Sequence, residues 1–141
     1  MIKKTITYED YDGNKCTDDF FFHLTKADLI DWATEEEGLS EKLESLTHET
    51  DMLKIVPVIK TIIERSYGKR IGKAFVKKQE ILDEFIYTEA FSELYMELAS
   101  NADALIEFVE GVMPAFDEDT RKAIEEARKK LEKEQKEVET E

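Results

Sequence analysis

Met52-Leu53-Lys54-Ile55-Val56-Pro57-Val58-Ile59-Lys60-Thr61-Ile62-Ile63-Glu64-Arg65 is the stretch on which the fold turns. Met52, Ile55, Val56, Ile59, Ile62 and Ile63 recur at helical spacing while Lys60, Glu64 and Arg65 fall off that stripe, which is the pattern of a helix burying one face. The spacing predicts the central core helix. Pro57 lies inside it; proline has no N–H to donate and its ring crowds the preceding turn, so it should kink the helix or mark its true start. Gly68, after Tyr67, supplies the stop.

Downstream, Lys69 to Lys78 sets two apolar pairs in a basic background and reads as a loop with one short extended piece. From Gln79 the helical pattern returns, with Phe91, Leu94, Tyr95 and Leu98 as a stripe and Met96 beside it. Glu89, Glu93 and Glu97 form a second row on the same helix. Like charges four residues apart oppose an isolated helix by a few tenths of a kcal/mol, so packing or cations from elsewhere must offset them. A last helix should start near Ser100 or Asn101, carry Leu105, Ile106, Phe108 and Val109, and end at Gly111 before Pro114. From Asp117 onward only Ile124, Leu131 and Val138 recur at sevenfold spacing, too thin a seam for a coiled coil. Residues 1–114 are therefore expected to form a single globular domain and 115–141 a charged helical or disordered tail.

Upstream, Ile2 to Tyr8 alternates in the strand manner and Asp12-Gly13 is a hairpin turn signal. The second arm, Lys15 to Phe22, ends in Phe20, Phe21 and Phe22, and three aromatics in a row cannot all face one core from a strand. Thr25-Lys26-Ala27-Asp28 resembles a capping box that opens a helix running to about Glu37. Gly38 would stop it, and Ser40 would cap a short helix carrying Leu43 and Leu46. The fold class is thus α+β: an N-terminal β-hairpin packed on a mostly helical bundle of about five helices.

The composition narrows the function. In 141 residues, 41% hydrophobic and 38% charged, there is enough apolar material for one core under a strongly ionic surface. The net charge of −14 makes nucleic acid and anionic membranes poor partners, because phosphate binding needs clustered Lys and Arg. No apolar run approaches a signal peptide or a membrane span, and the lone Cys16 has no disulfide partner, so a cytoplasmic location is expected. Charge is also segregated: Lys54 to Lys78 holds eight basic residues against Glu64 alone, and Gln79 to Thr120 holds twelve acids and no base. A solvated face explains such runs; so does pairing of Lys69, Arg70, Lys73, Lys77 and Lys78 of one molecule with Glu89, Glu93 and Glu97 of another.

Catalytic signatures are missing. His23 and His48 fall in different elements and make no spaced metal pair, and the five glycines form no phosphate-cradling loop. No Ser sits in a nucleophile elbow. Neither a metal nor another cofactor is called for, and the chain reads as a protein-binding molecule, not an enzyme. Phe20, Phe21, Phe22, Phe91 and Tyr95 are the candidate partner contacts, with core packing as the competing role for the same rings. An acidic inhibitor that mimics DNA is the alternative function, against which the basic segment argues.

Several phrases, taken in order, resemble the tail assembly chaperone family of long-tailed phages and prophages of Gram-positive bacteria. They are Tyr8 to Asn14, Phe22 to Leu29, Ser66-Tyr67-Gly68, and Thr88-Glu89-Ala90-Phe91-Ser92-Glu93-Leu94-Tyr95-Met96-Glu97-Leu98, followed by Phe108 and Gly111 to Pro114. Lys69-Arg70-Ile71-Gly72 stands where that family often carries a longer insertion. The resemblance implies a morphogenesis factor, absent from the mature virion, that keeps the helical tape measure protein soluble until tail-tube subunits polymerise around it. Self-association is expected from the charge segregation above; the resemblance adds the tail-tube protein as a second partner and, in many members, a longer frameshifted product.

Overall fold

The computed structural model describes residues 1–35 and 52–113. Strands β1 (Ile2–Glu9) and β2 (Lys15–Phe22) form the N-terminal hairpin, in unbroken register from Ile2 opposite Phe22 to Glu9 opposite Lys15. Its turn is built by Asp10, whose carboxylate accepts the amides of Asp12 at 3.0 Å and Asn14 at 2.8 Å, while Gly13 takes the left-handed φ of 86° that side chains resist. Alternation then sorts the side chains. Ile2, Lys4, Ile6 and Tyr8 face the helices with Phe20 and Phe22, while Lys3, Thr5, Thr7 and Glu9 face solvent.

Helix α1 (Lys26–Glu35) opens with the expected capping box: the Asp28 amide donates to Thr25 Oγ1 at 3.0 Å and the Thr25 amide donates to the Asp28 carboxylate at 2.8 Å. The short helix expected after Gly38, His48, and the tail at 115–141 lie outside the described residues. Helix α2 (Met52–Ser66) runs through Pro57, so the proline is neither its start nor its end. Ile55, Ile59, Ile62 and Ile63 are all buried, as the stripe predicted.

The segment expected to be a loop is a second hairpin. Strand β3 (Tyr67–Ile71) follows α2 directly and turns through Gly72, at φ 61°, into β4 (Ala74–Val76). Gly68 makes it close: a Cβ there would lie 2.8 Å from the Val76 carbonyl oxygen and 2.9 Å from Phe75. The strands are too short to show alternation, so the sequence reading sees only two apolar pairs. β3 joins β2 through Phe21–Gly68 and Phe22–Tyr67, which completes a four-stranded antiparallel sheet in the order β1-β2-β3-β4.

The helix expected from Gln79 is in fact two. α3 (Gln79–Ile86) ends where the Thr88 amide and hydroxyl both turn back to the Phe85 carbonyl, at 3.0 and 2.7 Å, and α4 (Glu89–Ser100) starts afresh. Asn101 closes α4 and caps α5 (Ala102–Val112), its side chain accepting from the Ala104 amide at 3.1 Å. Gly111 lies inside α5 instead of stopping it. A Cβ at that position would come within 2.9 Å of the Ile2 side chain, so the glycine lets α5 press against β1. The core between sheet and helices is closed by Trp32, Leu94, Leu98, Leu105, Phe108 and Val112.

Candidate protein-binding surface

The three consecutive phenylalanines have three different fates. Phe22 is 0% exposed, with Phe108 at 5.2 Å and Tyr67 at 5.6 Å between ring centroids, so it belongs to the core and is removed from the expected partner-binding set. Phe20, on the same face, is half-buried against Phe85 at 4.9 Å. Phe21 points to the opposite face of the sheet and stays half-buried. Alternation along β2 is the whole reason.

Phe85 is the residue that the sequence reading missed. It is 1% exposed and lies within 4.9–5.7 Å of Phe20, Phe22 and Phe91, and at 4.5 Å from Tyr67 in a stacked arrangement. The signal was present in the spacing Ile81, Leu82, Phe85, Ile86, which is a helical stripe of its own. Through Phe85 the hairpin aromatics and the α4 aromatics become one chain of rings: Tyr8, Phe20, Phe85, Phe91, Tyr95. Offset and edge-on ring pairs at these distances add about 0.5–1.5 kcal/mol each beyond area burial.

Where that chain reaches the surface it opens a shallow groove between α2 and α4 of about 320 Å³, lined by Lys60, Phe91, Ser92, Tyr95 and Met96. Tyr95 is anchored there, its hydroxyl donating to the Val56 carbonyl at 3.3 Å. Met96, a large flexible apolar side chain, is 65% exposed at this groove. By helical rotation Glu89 and Glu93 follow Met96 around α4, outside the groove's lining, whose one charged residue is Lys60. Glu97, third in that row, is paired with Lys4 of β1 at 3.1 Å, one of the cations from elsewhere that the row required.

A second groove, of about 460 Å³, sits where β2 and β3 diverge, with Phe20, Phe21, Asp18 and Asp19 on one side and Lys69 and Arg70 on the other. The structure thus brings together residues that sequence reasoning had divided between client contact and self-association. Two of the basic residues are already engaged: Lys69 meets Glu84 at 2.8 Å, which pushes its pKa up, and Lys77 meets Asp28 at 2.6 Å. Arg70 and Lys73 are exposed around the β3–β4 turn, and Lys78 precedes α3.

Cys16 is pushed above its ordinary pKa by burial and by the carboxylates of Asp10 and Asp18, the reverse of an activated thiol. Burial lowers the His23 pKa and favours a neutral imidazole. Among the described residues no three His, Cys, Asp or Glu side chains gather as metal ligands, and no helix is long and apolar enough to cross a membrane.

Neither the comparison with curated proteins nor that with solved structures gives a match. A comparison with protein families does: the family described as phage tail assembly chaperone matches residues 1–141, the whole chain. This full-length match identifies the family: the chain belongs to the phage tail assembly chaperone family.

Proposed function

We propose that this chain holds an amphipathic helical segment of its phage's tape measure protein in the α2–α4 groove and keeps that protein soluble until tail-tube subunits displace it. The groove itself carries the reading: Phe91, Tyr95 and exposed Met96 form an apolar floor, with Lys60 and Ser92 as its polar lining. Such a floor suits a client helix with an apolar seam. An extended coiled-coil protein that waits for its tube exposes such seams, and they aggregate unless covered. Coverage must also be reversible. Several weakly bound, self-associating copies along one client hold it collectively yet release it one contact at a time. The chain would act without catalysis, in the host cytoplasm, and leave before the virion is complete, with the tail-tube protein as its competitor for the client.

The test is co-expression. The tape measure protein alone should precipitate, and with this chain it should stay soluble and co-purify at several copies per client. If the client is equally soluble alone, or if the two never co-elute, the reading fails; competition with duplex DNA for a nuclease then tests the DNA-mimic alternative.

A further inference from the structure

β1 is the outer strand of the sheet, and no described strand pairs with its second edge. The hairpin shows which backbone groups face that edge. The Asp10 amide donates to the Asn14 carbonyl at 2.9 Å, and bonded pairs alternate in an antiparallel ladder. Ile2, Lys4, Ile6 and Tyr8 therefore turn their backbone groups toward β2, while Lys3, Thr5, Thr7 and Glu9 turn theirs outward. These four are also the residues whose side chains are exposed on the outer face. Eight residues without a proline or a bulge make this edge a template for another strand. The one inward-pointing charge that opposes pairing, Lys4, is neutralised within the molecule by Glu97.

We propose that the β1 edges of two copies pair antiparallel about a two-fold axis at Ile6, joining two four-stranded sheets into one. Outward-facing backbone groups must meet outward-facing ones, and outer-face side chains must meet outer-face side chains, so Lys3, Thr5, Thr7 and Glu9 of one copy must oppose the same set of the other. Charge then selects among the registers that remain. An axis at Ile6 sets Lys3 of each copy against Glu9 of the other, so each end of the interface carries an opposite-charge pair, and Thr5 against Thr7, whose hydroxyls already bond Asp19 and Thr17 within their own hairpin. An axis at Thr5 would set Lys3 against Thr7 and leave Glu9 opposite Met1. The pairing is isologous and closes at two copies, unlike the head-to-tail contact of basic hairpin and acidic helix. It supplies an interface for the proposed self-association and does not depend on the client.

Sedimentation of the full chain without client tests it. The wild type should be dimeric, whereas Lys3→Glu and Glu9→Lys should each be monomeric, because each sets like charges across both ends. Mixed together, those two variants should form a heterodimer, since both ends of the mixed interface again set an acid of one copy against a base of the other; this result also shows that both are folded. Thr7→Pro, which removes one outward N–H and no backbone bond to β2 and gives up only the hydroxyl contact of Thr7 with Thr17 at 3.1 Å, should abolish the dimer with an unchanged circular dichroism spectrum. A wild type that stays monomeric at millimolar concentration overturns the proposal. So do single variants that remain dimeric, or variants that are monomeric alone and also when mixed.

Discussion

Asp28 binds two elements with one carboxylate: it accepts the Thr25 amide at 2.8 Å to cap α1 and the Lys77 ammonium at 2.6 Å from the segment after β4. A local capping signal has become a long-range tie between the first helix and the second hairpin.

Burial by itself pushes the Asp28 carboxyl up, but the Lys77 ammonium and the Thr25 hydrogen bonds outweigh it and hold the group below its ordinary pKa. The stability this confers is present above the ordinary carboxylate value and is lost as pH falls through the lower folded value. Asp28→Ala should cost about 1–2 kcal/mol at neutral pH through the lost cap and charged hydrogen bond. Urea unfolding from pH 7 downward should show the difference between variant and wild type shrink below about pH 4.

Phe85→Ala should be among the most damaging single changes, at about 3–5 kcal/mol, because it opens a cavity where the hairpin and helix aromatics join. Urea unfolding measures it. A cost below about 1 kcal/mol would mean that the rings pack independently.

The glycines of the second hairpin should respond differently. At Gly68 an added methyl meets the Val76 backbone at 2.8 Å, and Gly68→Ala should destabilise by about 1–3 kcal/mol through overpacking. At Gly72 there is open space, and Gly72→Ala should cost only the left-handed backbone penalty of about 1–2 kcal/mol. Thermal melts of the pair, with near-ultraviolet dichroism to follow Phe75 and Tyr67, separate packing from conformation.

Tyr8 donates to Asp18 at 2.6 Å, and that hydrogen bond, with burial and the Asp18 charge, pushes its pKa up to about 12. A raised phenol pKa gives stability that is complete below the ordinary value near 10 and disappears as pH rises toward the folded value. Tyr8→Phe should remove part of the stability loss between about pH 10 and 12. Ultraviolet titration should lose its latest-titrating tyrosine in that variant.

Met96→Glu should leave thermal stability within about 0.5 kcal/mol, since the side chain is mostly exposed, yet it should abolish client co-purification by placing a charge on the apolar floor. Retained co-purification would move the client site away from the α2–α4 groove.

Local chemistry accounts for what could be read from the chain alone. The Asp12-Gly13 turn, the Thr25–Asp28 capping box, the Asn101 cap and the stripe from Ile55 to Ile63 each act within a few residues, so the hairpin, three helix starts or faces and the α+β class were legible in the amino-acid order. The tertiary structure decided the rest, because the deciding contacts join residues far apart. Gly111 was legible only as a stop signal, until Ile2 packed against it. β3 and β4 exist because Gly68 admits Phe75 and because β2 offers an edge at Phe21 and Phe22 for β3 to pair with. Which of three adjacent phenylalanines became core was set by strand alternation once the helices had chosen a face. The groove at Phe91, Tyr95 and Met96 is formed by two helices whose relative placement no periodicity records.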